Sequence, residues 1–183
     1  MQDGLWVFAY GSLMWRPDFP YIADRPARLW GYHRALCILS SHYRGTPQRP
    51  GLVLGLDRGG SCLGRVFLVP PDQVERAREI LIAREMISGV YRPCFLPARL
   101  DDGSTVSAWA FVAQRGHAQY FRAQHPGELV RLIRQGVGKA GTSRDYLAET
   151  VAQLTGLGIK DGSLHRLLAR VDAEAAGPHA RTA

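Results

Sequence analysis

Lysine is nearly missing from this chain of 183 residues: Lys139 and Lys160 are the only two, and arginine supplies almost all of the net charge of +7. The arginines are scattered from Arg16 to Arg181, with no basic block and no interleaved aromatic stripe. A nucleic-acid footprint clusters on one helix or face, so this composition argues against nucleic acid as a partner. Cysteine is scarce as well. Cys37, Cys62 and Cys94 are odd in number and widely spaced, with no CxxC and no His/Cys cluster. That excludes the disulfide framework of a small secreted domain and gives no sign of a metal centre. No apolar run approaches the ~20 residues a membrane-spanning helix needs. The short apolar run near the N-terminus follows no basic region, so neither a membrane nor a secretory signal is expected. A cytoplasmic protein with no metal and no cofactor is the expectation.

What is present is an ordinary globular balance, 46% hydrophobic and 21% charged residues, enough for one domain with a sizeable core. The expected domain spans 1–172. Residues 173–183 carry no core-building pattern and read as a frayed tail.

The most informative segment runs from Leu5 to Trp15. Leu5 to Tyr10 are apolar and rich in aromatic and β-branched side chains, the pattern of a buried strand. Gly11 then permits a tight turn with close backbone approach, and Ser12 adds a hydroxyl and a backbone N–H. Such a turn aims backbone donors at whatever sits above it, a common way to hold an anion or a polarised carbonyl. Taken alone, a strand ending in Gly-Ser is simply a turn, and the functional reading needs a second element.

That element is Ala83 to Tyr91. Pro70, Pro71 and Asp72 mark a helix start. Val74, Ala77, Arg78 and Leu81 then keep one face, and Ser88-Gly89 ends the helix. Glu85, four past Leu81, puts a carboxylate where a leucine is expected. The negative end of the helix dipole and burial both raise the pKa of such a group, which suits a proton acceptor. The competing reading is a glutamate paired with Arg84 or Arg92.

Elsewhere the pattern alternates strand and turn early, then helix late. Gly51–Asp57 and Ser61–Val69 read as two strands around Asp57-Arg58-Gly59-Gly60, and Tyr91–Leu100 and Thr105–Ala113 as a hairpin around Asp101-Asp102-Gly103. Helices are expected over 127–135, 143–154 and 163–171, with Thr142 or Ser143 capping the second and Asp161 the third. Strands first and helices last indicate an α+β domain.

Tyr10-Gly11-Ser12-Leu13, Arg84-Glu85 and Gly89-x-Tyr91, in this order and spacing, resemble the ChaC-like γ-glutamylcyclotransferases. Gly31 to Arg34, His42 to Pro47 and Pro50-Gly51 resemble the family's loop between its early strands, and Gly138 to Leu147 its late glycine-rich turn before a Tyr-Leu helix. Gly89-Val90 stands where many members carry two glycines. The resemblance implies a small mixed β-barrel flanked by helices, with the site at the barrel mouth. It also implies a lyase that closes a γ-glutamyl group on itself: the α-amine attacks the γ-carbonyl, forming 5-oxoproline and expelling the attached amine. With glutathione the leaving group is cysteinylglycine. Other γ-glutamyl amino acids or γ-glutamylamines, or a non-catalytic module binding a small ligand on the same fold, are the alternatives.

On this reading Glu85 is the candidate base. Backbone N–H groups of Gly11, Ser12 and Leu13 are candidates to bind either the oxyanion or the substrate α-carboxylate. Val7, Phe8 and Ala9 lead into that loop from Tyr10's side and would line the pocket. Tyr146 is either a hydroxyl donor to the substrate or an apolar-face residue beside Leu147 and Val151. Arg34 and Arg44 either clamp a carboxylate or pair structurally. His33, His42, His117, His125 and His165 form no serine-hydrolase pattern, because Gly11-Ser12 has no G-x-S-x-G context. Cys94 has no feature that lowers its pKa.

Overall fold

The computed structural model describes residues 4–175. Five strands close a mixed barrel in the order β1-β3-β2-β4-β5: β1 (Leu5–Ala9), β2 (Ala23–Ser40), β3 (Gly51–Val69), β4 (Tyr91–Leu100) and β5 (Thr105–Ala113). Helix α1 (Val74–Glu85) lies between β3 and β4. After β5 come α2 (Pro126–Gln135), the short strands β6 (Val137–Gly138) and β7 (Gly141–Thr142), α3 (Ser143–Gly156) and α4 (Gly162–Ala175). The described residues divide into two compact units, 4–35 with 54–120, and 36–53 with 121–175.

In the first unit, β1 is antiparallel to β3, with Val7 opposite Phe67, and parallel to β5, with Val7 opposite Trp109. A strand paired on both sides satisfies its backbone groups inside the sheet, so its side chains are free to be apolar throughout. Val7, Phe8 and Ala9 are fully buried, as are Val66, Ala108 and Ala110. Complete burial of a side chain such as Phe8 is worth about 1.5–3 kcal/mol. The β4–β5 hairpin falls where its alternation predicts, with Gly103 at φ +87° in the turn.

Four expectations need correction. Residues 51–69 form one strand, not a hairpin. Gly59 and Gly60 do take positive φ, +104° and +68°, but two such residues inside a paired strand bend it instead of reversing it. The His33 ring, hydrogen-bonded to the Gly59 carbonyl at 2.9 Å, holds the bend from β2. Gly31 to Arg34 lie inside β2, and the connecting loop is confined to 41–50. Helix α1 stops at Glu85, where the Met86 N–H closes the last turn on the Ile82 carbonyl; Gly89, at φ +71°, belongs to the following turn. On α1, Ala77 and Leu81 are buried as expected, but Arg78 is exposed, which narrows the apolar stripe.

In the second unit α2, α3 and α4 pack together around Val130, Ile133, Leu147, Leu154 and Leu164. Thr142 caps α3 by accepting the Asp145 N–H at 2.9 Å, and Asp161 accepts the Leu164 N–H at the start of α4. Backbone meets backbone here: a Cβ on Gly51 would lie 2.1 Å from the Arg44 carbonyl oxygen, and one on Gly136 2.4 Å from the Gly51 Cα. Helix α4 carries Ala173 to Ala175 of the expected tail, and residues 176–183 lie outside the described residues.

Candidate active site

β1 delivers the chain to Tyr10 and Gly11, after which Ser12–Met14 form a single 3-10 turn. The Met14 N–H donates to the Gly11 carbonyl at 2.9 Å, and the Trp15 and Arg16 N–H groups both donate to the Ser12 carbonyl. The leading N–H groups of such a turn, on Ser12 and Leu13, have no acceptor within it. Gly11 sits at φ −133°, so its role is not a left-handed backbone. Its role is space, because a Cβ there would lie 3.3 Å from the Leu54 Cδ1. Arg34, only 5% exposed, donates from Nε to the Tyr10 carbonyl and from Nη2 to the Leu63 carbonyl at 2.6 Å. It is therefore a structural anchor beneath the loop.

Glu85 is the last residue of α1 and its side chain is 17% exposed. Burial raises its carboxyl pKa, and Arg84 pulls the value back only in part. The Arg84 Nε lies 3.4 Å from Oε1. Among the described residues no ion pair joins Glu85 to Arg92. Arg84 directs its other nitrogens at the turn: Nη2 donates to Ser12 Oγ at 2.9 Å, and Nη1 to the Arg16 carbonyl at 2.8 Å and Asp18 Oδ2 at 2.6 Å. The two motifs, some seventy positions apart in the chain, thus meet on one guanidinium. The third block joins them through Leu54, whose carbonyl accepts the Tyr91 hydroxyl at 2.6 Å while its side chain faces Gly11. Gln114 fixes the approach to Tyr91 by donating to the Gly89 carbonyl at 2.6 Å.

The side chains of Val7, Phe8 and Ala9 have no exposed surface, so of the expected site residues in the first unit Ser12 and Glu85 are the accessible ones. Tyr146 belongs to the second unit, half-buried on α3 beside the fully buried Leu147. The Arg44 guanidinium lies 5.3 Å from its ring centroid and donates to the Thr142 carbonyl at 3.2 Å. Cys94 is no nucleophile candidate, since burial raises its pKa. Among the described residues no group of three His, Cys, Asp or Glu side chains is arranged to hold a metal ion. Sequence reasoning missed Arg84 as the link between motifs, and Asp18 altogether. Adjacency to Glu85 was a usable signal for the first; nothing local marked the second.

The closed five-stranded mixed barrel with its helices is the fold of solved γ-glutamylcyclotransferase structures. The yeast γ-glutamylcyclotransferase specific to glutathione superposes with a TM-score of 0.84 at 21% identity, over 94% of this chain and 97% of that one. The chain belongs to the ChaC-like protein family, whose model matches residues 5–174. It is 36% identical over 170 residues to the glutathione-specific γ-glutamylcyclotransferase of Escherichia coli K12, covering 93% of this chain and 74% of the relative. It is 32% identical over 150 residues to the human glutathione-specific γ-glutamylcyclotransferase 1, covering 79% and 67%.

Proposed function

We propose that this protein is a glutathione-specific γ-glutamylcyclotransferase with Glu85 as its proton acceptor. The observation that carries the reading is a half-buried carboxylate beside the guanidinium that also holds the Ser12 turn, and burial raises its pKa. The substrate supplies its own nucleophile. Its α-amine nitrogen bonds to the γ-carbonyl carbon while the γ-amide C–N bond breaks, giving 5-oxoproline and cysteinylglycine. Intramolecular attack by well-oriented atoms reaches effective molarities of ~10⁵ M or more, so the protein's tasks are to fold the γ-glutamyl chain, carry protons from the attacking to the leaving nitrogen and hold developing charge.

Glu85 takes the proton from the α-ammonium. Between an ordinary glutamate, pKa about 4.3, and an α-amine near 8, that transfer costs roughly 5 kcal/mol. A raised carboxyl narrows the gap. The resulting carboxylic acid then protonates the leaving amine; the second proton shed by the attacking nitrogen passes through the same carboxylate to that amine, which departs as an ammonium and leaves Glu85 in its starting state. The N–H groups of Ser12 and Leu13 bind a substrate oxygen anion, the oxyanion at the γ-carbon or the α-carboxylate. No step calls on a metal or a cofactor. The reading includes a cytoplasmic enzyme, supported by three cysteines too few and too widely spaced for the disulfide framework of a small secreted domain. No helix among the described residues is long and apolar enough to cross a membrane.

The test is to incubate the purified protein with glutathione and, separately, with a γ-glutamyl amino acid, following 5-oxoproline by mass spectrometry. Release of 5-oxoproline and cysteinylglycine from glutathione, with little product from the other compound, is expected. No 5-oxoproline from glutathione would overturn the proposal, and product from the other compound alone would move the substrate class.

A further inference from the structure

We infer that Arg84 is a positioning residue that sets the distance and angle between the base and the anion-binding turn. The inference rests on the reading of Glu85 as base and of the Ser12–Met14 turn as anion site. Adjacent helix residues point in different directions. Arg84 therefore reaches the turn while Glu85 next to it keeps a separate course. Its planar guanidinium meets acceptors at both ends of one segment: Ser12 Oγ at the start, the Arg16 carbonyl and Asp18 Oδ2 at the finish. Its Nε stays 3.4 Å from Glu85 Oε1.

The segment is shaped for that group. Asp18 has φ +52°, the one positive φ outside glycine among the described residues, and aspartate is one of the few side chains that accept this conformation. Its carboxylate closes on Arg84 from the far end of the loop. Arg34 fixes the near end at the Tyr10 carbonyl. Arg34 thus fixes where the turn begins, and Arg84 where it stands relative to Glu85. A misplacement of 1 Å between reacting groups costs ~10²-fold in rate, so a residue that bonds both parts controls turnover without touching substrate. Lysine cannot replace it, because one ammonium does not span three acceptors in a fixed fork.

Arg84 is also the charged group that acts on the Glu85 carboxyl, which separates two effects of the same side chain. The experiment compares Arg84→Lys, Arg84→Met and Glu85→Gln in the full chain, measuring kcat and KM for glutathione, the pH–rate profile, and amide hydrogen exchange at Trp15 and Arg16. Arg84→Lys is expected to lose about 10²-fold in kcat, to keep the acid limb of the profile and to lose exchange protection in the turn. Arg84→Met should lose as much and move the acid limb to higher pH, since the charge opposing burial is gone. Wild-type kcat in Arg84→Lys overturns the inference, because charge alone then suffices. So does unchanged exchange protection, which would leave the turn standing without its tether. If the Arg84 variants do not fold, Asp18→Asn supplies the test, since its side chain is 64% exposed and asparagine tolerates the same φ. A kcat loss of up to about fivefold, the scale of one exposed ion pair, supports the inference; an unchanged kcat overturns it. Glu85→Gln separates the two readings. Wild-type turnover there refutes the base assignment whatever Arg84 does, whereas an inactive Glu85→Gln beside a fully active Arg84→Lys refutes positioning alone.

Discussion

A buried carboxylate, Asp57, and a half-buried one, Glu85, sit in the first unit, and the protein treats them in opposite ways. Asp57, on β3 with a side chain 10% exposed, accepts Arg115 Nε at 2.8 Å and Nη2 at 3.1 Å, the Arg58 N–H at 2.8 Å and the Tyr120 hydroxyl at 2.9 Å. Burial pushes its pKa up, but those donors outweigh burial and hold it below the ordinary value. Glu85, 17% exposed, has one guanidinium at 3.4 Å, and its pKa is raised. Depth alone does not decide the outcome; the number of donors does. A saturated carboxylate is an element of architecture. One left short of donors keeps its affinity for a proton, and a carboxylate of that kind beside backbone donors is equipped for acid–base chemistry.

The largest effect that would sharpen this contrast is expected from Gly11→Val. The branched side chain fills the space against Leu54 and covers the N–H groups of the turn, so turnover should fall at least ~10²-fold, with a folded protein by circular dichroism. A folded variant with full activity would detach the turn from the chemistry. Next is Asp57→Asn, which removes the acceptor of a charged hydrogen-bond set and should cost about 2 kcal/mol of stability in urea titrations, with kcat unchanged. Because Asp57 is depressed in the folded state, its contribution is present above the unfolded carboxylate range and is lost as pH falls through the folded value. The gap between wild type and Asp57→Asn should therefore close in acid. An undiminished gap at low pH, or a lost kcat, would erase the division of roles. The smallest effect belongs to Ser12→Ala, which takes one acceptor from Arg84 and leaves the backbone N–H in place. A loss of less than about tenfold is expected, the scale of one ordinary hydrogen bond of about 1 kcal/mol. A loss as large as that of Gly11→Val would mean that the hydroxyl, and not the backbone, binds substrate.

The division between these carboxylates was half legible in the sequence. Four-residue spacing from Ala77 through Leu81 put Glu85 on the buried side of α1, and an acid there conflicts with its surroundings whatever the fold. Asp57 read as a turn residue beside Gly59-Gly60, because those glycines signal reversal as readily as a bend; the partner strand that turned them into a bend is contributed by β2, whose polar residues hide its periodicity. Arg115 and Tyr120 are some sixty positions from Asp57, a pairing that only barrel closure produces. The β4–β5 hairpin and the helices α2 to α4 were legible because their turn and cap residues lie within a few positions of the elements they end. Arg84 was seen only as a neighbour of Glu85; its contacts with Ser12, Arg16 and Asp18 depend on where β1 delivers the chain.

Glu85 is tested most directly by stability against pH together with turnover for Glu85→Gln. A carboxyl raised in the folded state binds more protons folded than unfolded, so its ionisation costs stability as pH rises above the ordinary glutamate value of about 4.3. The negative end of the α1 dipole acts in the same direction. Glu85→Gln is therefore predicted to be more stable than wild type at neutral pH, to lose that advantage below the ordinary glutamate pKa, and to turn over glutathione at least ~10²-fold more slowly. A variant less stable than wild type at neutral pH that retains wild-type turnover would make Glu85 a structural partner of Arg84 and contradict the account.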